Sequence, residues 1–173
     1  MQIPDRVRWA VEVVDPAPDS RVLEIGCGPG AAAELICARL DTGRLLAVDR
    51  SAVAVGRAVE RNAQHVKAGR LEVRQSDLDA LEVEPRSFDV AFSVNVNVFW
   101  TRDAASELAV LRRALRPEGL LHVLYGPGPG GSAAVRRVAD TVSRAMSDNG
   151  FAEVTSSAEE RGTRISGEAR AGG

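Results

Sequence analysis

The run Glu24-Ile25-Gly26-Cys27-Gly28-Pro29-Gly30 constrains this chain more than any other stretch. Apolar Val22-Leu23 leads into it, and an alanine-rich segment with helical character, Ala31 to Leu40, follows. Strand, glycine turn, helix is the expected order. Glycines at alternate positions remove three side chains where the backbone must turn sharply and lie close to a ligand. The helix N-terminus beyond the turn offers N–H groups and a partial positive charge. Such a turn points to a nucleotide-type cofactor, and its details choose which one.

The 173 residues, 45% of them hydrophobic, predict a single domain over 1–173. Residues 1–19 form a short N-terminal helix and linker, and 126–131 a Pro/Gly loop. No apolar run approaches the ~20 residues of a membrane span, so no membrane partner is expected. The first residues carry Asp5, Arg6 and Arg8 and no apolar signal core, which predicts a cytoplasmic location. Formal net charge is −2. Lys67 is the single lysine, and the arginines are scattered among Asp and Glu rather than gathered in a stripe. That pattern describes solvated faces and gives no nucleic-acid groove. Two cysteines, Cys27 and Cys37, without a CxxC pair, and two histidines make a metal site unexpected. Cys37 reads as core, and Cys27 as a small packing residue in the turn.

Residues 5–14 read as a helix with Trp9, Ala10 and Val13 on one side, broken by Asp15-Pro16-Ala17-Pro18-Asp19. Strand 1 is predicted at Arg21 to Ile25, a helix at 31–40, and strand 2 at Arg44 to Val48, closed by Asp49. Ser51 caps a helix running to about Val66. Strand 3 spans Leu71 to Arg74, ahead of Ser76-Asp77. Strand 4, Phe88 to Val94, is apolar enough to be buried on both faces. Thr101 or Asp103 caps a helix through Arg116, with Leu108, Leu111 and Leu115 at helical spacing. Pro117-Glu118-Gly119 ends it, and strand 5 runs from Leu120 to Tyr125. After Gly126-Pro127-Gly128-Pro129-Gly130-Gly131, Ser132 caps a helix ending near Asn149-Gly150. Two strands, about Ala152–Ser157 and Thr163–Ala169, close the chain around a turn at Arg161-Gly162, ahead of a frayed Ala171-Gly172-Gly173 tail. Alternating strands and helices predict an α/β, Rossmann-like, mostly parallel sheet with helices on both faces. The closing strand pair adds an antiparallel edge.

Glu24, Asp49 and Asp77 fall at the C-terminal ends of strands 1, 2 and 3, the ligand edge of an open α/β sheet. Asp49 stands 21 residues after Gly28, placed to accept both hydroxyl hydrogens of a ribose. Gly26-Cys27-Gly28-Pro29-Gly30-Ala31 also satisfies a loose dinucleotide pattern. Four details weigh against a dinucleotide. Pro29 and Gly30 open the turn further than a pyrophosphate loop needs. Pro29 lacks an N–H for phosphate. Glu24 would repel a pyrophosphate yet suits an ammonium or sulfonium. Asp77 offers a further carboxylate for the adenine amino group.

These residues resemble the class I S-adenosylmethionine-dependent methyltransferases. Val22 to Gly30 looks like their first motif, Val48-Asp49-Arg50-Ser51 their second and Gln75-Ser76-Asp77-Leu78 their third. Phe88-Asp89-Val90 with Asn95 resembles the fourth, and Leu111 to Leu121 the helix–turn–strand that follows. The motifs arrive in family order over about residues 20–125. The resemblance implies a seven-stranded sheet of order 3-2-1-4-5-7-6 and S-adenosylmethionine as cofactor, with S-adenosylhomocysteine as product. It also implies roles. Gly26, Cys27, Gly28 and Gly30 would line the methionine part, with Glu24 near its amino group. Asp49 would hold the ribose diol, and the Arg50 stem would cover the adenine. The Asp77 side chain and the Leu78 N–H would read the adenine edge. Asn95 would face the methionine amino group and the transferred methyl. The competing reading makes Glu24 and Asp49 solvated strand-end carboxylates, Asp77 a turn residue and Asn95 a loop residue.

The expected reaction is in-line methyl transfer to a small-molecule acceptor, oxygen, nitrogen or carbon being left open. A base is needed only if the acceptor carries a proton. Tyr125, at the end of strand 5, and His122, inside that strand, are the candidates, and a mid-strand histidine ordinarily belongs to the core. Asn97, Phe99 and Trp100 are candidates for the acceptor wall. The Asn/Asp-Pro-Pro-Tyr motif of nitrogen-methylating relatives is absent, with Ser93-Val94-Asn95-Val96-Asn97 in its place. Only about 20 residues precede strand 1, so the helix with Trp9 and the 126–131 loop are the candidate lids. An open acceptor site, closed by that loop or by a second subunit in a homodimer, is expected. A nicotinamide-dependent reductase is one rival, although the single Tyr125 lies 58 residues after the single Lys67. A non-catalytic S-adenosylmethionine-binding module is the other.

Overall fold

The computed structural model describes residues 2–127 and 131–170. Helix α1 (Asp5–Val14) ends where Asp15 turns left-handed and its N–H returns to the Val11 carbonyl. Strand β1 (Arg21–Ile25) runs into the glycine turn, and α2 (Ala31–Cys37) leaves it from Gly30. Strand β2 (Arg44–Asp49) is followed by α3 (Ala52–Arg61), capped as expected by Ser51, whose Oγ accepts from the Ala54 N–H. The expected helix to Val66 is interrupted at Asn62, which separates α3 from α4 (Ala63–Lys67). The Asn62 amide donates to the Ala58 carbonyl at 2.9 Å. Asparagine is prone to such local bonding, which competes with the helix ladder.

Strand β3 (Leu71–Gln75) and strand β4 (Phe88–Val94) are joined by a crossover without a helix. A short α5 (Val98–Thr101) holds Phe99 and Trp100. Helix α6 (Ala105–Ala114) stops two residues before the predicted Arg116. Proline disfavours helical geometry in the residue before it, and Leu115 already pairs with Phe88 as the first residue of β5 (Leu115–Tyr125). The predicted Pro117 turn survives as a register irregularity inside that pairing, with Glu118 left-handed. Helix α7 (Gly131–Asp148) leads to β6 (Phe151–Glu159) and β7 (Gly162–Ala169). Of the predicted 126–131 loop, residues 128–130 lie outside the described residues, and Gly131 already opens α7, which places Ser132 inside the helix rather than before it. The 171–173 tail also lies outside the described residues.

The sheet order is β3-β2-β1-β4-β5-β7-β6. Pairs from β3 through β5 are parallel, and β7 pairs antiparallel with both β5 and β6. This is the architecture predicted from the motif order. Alternation sends side chains of each central strand to two separate cores. One holds Leu23, Leu46, Ala91 and Leu121 with Phe99, Leu108, Val142 and Met146 of α5, α6 and α7. The other holds Val22, Ala47 and Phe92 with Trp9, Val11, Ile36, Cys37 and Ala58 of α1, α2 and α3.

Trp9 corrects one expectation. Its indole is 1% exposed and packs in the second core, and its Nε1 donates to Glu159 at 3.3 Å. An aromatic ring of that size buried on the sheet is a structural anchor rather than a lid. Only the first turn of α1 reaches the edge beyond β5, where a Cβ on Gly126 would come within 2.9 Å of Arg6 Cδ. Among the described residues no helix is long and apolar enough to cross a membrane, and no cluster of His, Cys, Asp and Glu could hold a metal ion.

Candidate active site at the C-terminal edge of the parallel strands

The glycine turn consumes its own donors. The Gly26 and Cys27 N–H groups both donate to the Val48 carbonyl, at 2.8 and 3.0 Å, and the Gly30 N–H donates to the Cys27 carbonyl at 3.0 Å. The Gly28 N–H donates to Asp49 Oδ2 at 2.9 Å, and Pro29 has none. No turn N–H remains for a diphosphate. Gly30 is left-handed (φ 77°), and a Cβ there would lie 2.5 Å from the Asn62 amide nitrogen and 2.9 Å from the Ala58 Cα. Gly28 is also left-handed, but a Cβ there would meet nothing within 4 Å. The turn is thus clamped beneath and open above.

Asn62 supplies much of that clamp and went unnoticed in the sequence. It is 1% exposed, and its amide bridges the Gly30 and Ala58 carbonyls at 3.0 and 2.9 Å. Its sequence signal is a polar residue on the inward stripe of a helix, 32 residues from the turn it holds.

Asp49 closes β2 with both oxygens held by backbone: Oδ2 by Gly28 and Oδ1 by the Ser51 N–H, at 2.9 Å each. A carboxylate fixed this way keeps spare lone pairs for a diol. Glu24 is different in kind. It is 3% exposed, and its Oε2 has no hydrogen-bond partner among the described residues. Burial first, and the Asp49 charge second, push its carboxyl up to about 8. The solvated-carboxylate reading therefore fails for Glu24. It is a buried acid beside the turn that lacks a donor, and a cation would supply one.

A cavity of about 480 Å³ opens at this edge. Among the expected residues, Gly26, Asp49, Arg50, Asp77, Leu78 and Asn95 line it. Glu24, Cys27, Gly28 and Gly30 do not, and lie beneath or beside it. The Arg50 backbone is pinned by Gln75, whose amide donates to the Arg50 carbonyl at 3.2 Å. Asp77 is exposed, and no bond of its carboxylate to another described residue is found. Among the lining residues that were not expected, Arg102 and Glu107 form an ion pair. Glu107 is buried, and its Oε2 has no partner among the described residues.

The β4–β5 side is organised otherwise. Asn95 is left-handed (φ 58°), and its Oδ1 accepts from the Gly126 N–H at 2.8 Å. The Tyr125 phenol donates to the Val96 carbonyl at 2.9 Å, and burial pushes its pKa up. Neither group stands free as a base. His122 sits mid-strand, bonded through Nδ1 to Ser166 Oγ at 2.7 Å. Burial and then the charge of Arg164 lower it to about 4. It does not line the cavity. Of the residues expected in the acceptor wall, Asn97 lines the cavity, Phe99 is core, and Trp100 is 40% exposed but outside the lining. Burial, with the Glu24 and Asp49 charges, pushes the Cys27 thiol up to about 12, which removes it as a nucleophile.

The site sits in recognisable company. A family model described as a methyltransferase domain matches residues 22–119. Trans-aconitate 2-methyltransferase of Methylobacterium nodulans is 32% identical over 122 residues, covering 69% of this chain and 44% of that protein. A malonyl-(acyl-carrier protein) O-methyltransferase of Methylovorus is 27% identical over 126 residues, covering 69% and 41%. The chain thus spans less than half the length of these curated relatives. Among solved structures, a SAM-dependent methyltransferase from Aquifex aeolicus superposes with a TM-score of 0.77 at 17% identity, covering 94% of this chain and 89% of that one. A (4+2)-cyclase does so at 0.78 and 14%, covering 97% and 82%. These likenesses show the shared fold. The family match runs from β1 into β5 and takes in the glycine turn, Asp49 and Asn95, and so the chain belongs to the methyltransferase domain family, the class I group whose motif order its sequence follows.

Proposed function

We propose that this chain binds S-adenosylmethionine in the cavity at the C-terminal edge and transfers its methyl group to a small-molecule acceptor. One observation carries the reading. Every N–H of the glycine turn itself is already used, while a buried carboxyl at Glu24 with one unpartnered oxygen and a held carboxylate at Asp49 stand beside it. That edge suits a cationic amino acid, whose charge draws the proton from Glu24, joined to a ribose. A pyrophosphate would find only the N–H groups at the start of α2, which weighs against the nicotinamide alternative.

In this reading Gly26, Cys27, Gly28 and Gly30 bring backbone close to the methionine part, and Glu24 takes its ammonium directly or through water. Asp49 holds the ribose diol, the Arg50 stem covers the adenine, and Asp77 with the Leu78 N–H reads its edge. Asn95 faces the methionine amino group and the transferred methyl, as expected. Its Oδ1 accepts from the Gly126 N–H, which fixes the amide, and it keeps a second lone pair for the ammonium. Bound there, S-adenosylmethionine supplies an electrophilic methyl on a sulfonium, leaving S-adenosylhomocysteine. The chain's task is to align the acceptor and exclude water, and alignment is worth about 7–11 kcal/mol.

A carboxylate oxygen is the acceptor atom this site favours. It arrives without a proton at neutral pH and so needs no base, and neither Tyr125 nor His122 stands free to act as one. Two of the relatives are a trans-aconitate and a malonyl-(acyl-carrier protein) methyltransferase, and both acceptors carry carboxylates. The cyclase neighbour is a reminder that fold alone does not set the reaction. One domain over 1–173, a cytoplasmic location, a homodimer closing the acceptor side and the absence of a nucleic-acid partner belong to the same reading.

Calorimetric titration with S-adenosylhomocysteine and NADPH, followed by a methyl-ester screen over di- and tricarboxylates, tests it. Micromolar binding of the adenosyl ligand and methyl-ester formation are expected. NADPH binding in its place would overturn the reading. Adenosyl binding with no turnover would leave the non-catalytic module.

A further inference from the structure

A second cavity lies at the opposite, N-terminal edge of the same strands and has a volume of about 410 Å³. It exists because the crossover from β3 to β4, residues 76–87, carries no helix. A crossover helix would cover the sheet face here, and Val83 to Phe88 cross it only as an irregular wall.

Pairing register concentrates charge in this opening. Arg21 of β1 is the direct partner of Arg44 of β2. Leu45 pairs with Leu71, and its N–H donates to the Arg70 carbonyl at 2.9 Å, so Arg70 continues the row at the start of β3. Leu23 and Leu46, two residues further along β1 and β2, belong to the core on this face. Alternation therefore sends Arg21 and Arg44 to the same side. Like charges directly opposite on neighbouring strands repel. No ion pair of Arg21, Arg44 or Arg70 is found among the described residues, where the Arg21 guanidinium only overlies the Phe88 ring at 5.8 Å. Two carboxylates also line the cavity. Glu72 is taken by Arg74 at 2.6 Å, and Glu84 is exposed. Ser87 Oγ, shut off from solvent, has no hydrogen-bond partner among the described residues. Leu45, Leu46 and Leu71 complete the lining, with Leu46 turned to this face.

We propose that this cavity is a binding site for a small polyanion, a phosphate ester or a polycarboxylate, held by Arg21, Arg44 and Arg70. Guanidinium groups grip such anions through paired N–H···O bonds, and a bound anion removes the repulsion along the row. The volume falls within the range of small-ligand pockets. The site is separate from the cofactor edge and does not depend on methyl transfer.

Titration calorimetry on the full chain, with inorganic pyrophosphate and with citrate at low salt, tests the proposal. Expected is saturable one-to-one binding of at least one anion, weakened tenfold or more in Arg44→Gln and Arg70→Gln. Arg136→Gln, an exposed arginine of α7, leaves it unchanged, and so does saturating S-adenosylhomocysteine. Stronger binding of pyrophosphate than of citrate marks a phosphate ligand, and the reverse a carboxylate one. Without anion, Arg44→Gln unfolds at or above the wild-type midpoint, because like charges have been separated. No saturable binding of either anion overturns the proposal, and so does an equal loss in Arg136→Gln. A lower anion-free midpoint for Arg44→Gln makes the row structural and overturns it as well.

Discussion

The two halves of the C-terminal edge use polar groups in opposite ways. On the β1–β2 half, the backbone donors are spent and the carboxylates of Glu24 and Asp49 keep acceptor capacity. On the β4–β5 half, side chains also bond the chain itself: Asn95 accepts from Gly126, and Tyr125 donates to Val96. The first half is arranged to be completed by a ligand. The second is arranged to hold β4 and β5 in place beside it. In the proposed function, a site divided this way would hold the cofactor through fixed groups and leave the acceptor to bring a deprotonated atom.

The comparison breaks first at Glu24. Its folded value of about 8 lies above the ordinary 4.5, so between those values the folded chain holds a proton that the unfolded chain has lost. Stability is therefore full below about pH 4.5 and falls as the pH rises through about 8. Glu24→Gln should remove that fall and be more stable than wild type at pH 9 by roughly 5 kcal/mol, following the size of the shift. It should also bind S-adenosylhomocysteine more weakly. Chemical denaturation across pH 5–9 checks the first outcome and calorimetry the second. A parallel pH profile in both proteins would mean that Glu24 is not the buried acid described.

Asp49→Ala comes next. It removes the proposed diol acceptor and frees the Gly28 N–H, so adenosyl affinity should fall about a hundredfold, roughly 2.7 kcal/mol. Retained affinity would sink the division of the edge into a binding half and a self-bonded half. Tyr125→Phe tests the other side. Losing the bond to Val96 should cost about 1 kcal/mol of stability while turnover stays within about fivefold. A loss of a thousandfold or more, as removal of a general base can produce, would return Tyr125 to chemistry. His122→Asn is expected to have the smallest effect on activity, within about twofold, since the ring lies outside the cavity and is neutral above about pH 4. A pH–rate profile that shifts in this variant would contradict that.

Much of this molecule could be read locally. The strand–turn–helix at 21–37, the cap at Ser51 and the apolar strand at 88–94 follow from short-range pattern, because turn geometry, capping and alternation act over a few residues. The motif order in turn implied the sheet order. The end of α6 was misplaced by two residues because pairing of Leu115 with Phe88 competes with helical spacing across 27 residues of sequence.

By itself, then, the sequence determined the fold class, the ligand edge and the carboxylates that stand along it. Tertiary structure alone decided what those groups are free to do. The proton on Glu24, the commitment of Asn95 and Tyr125, the burial of Trp9, the Asn62 clamp and the arginine row all arise from partners distant in the chain. Burial and hydrogen-bond commitment depend on which strands and helices meet, and register brings Arg21 and Arg44 together although 22 residues lie between them.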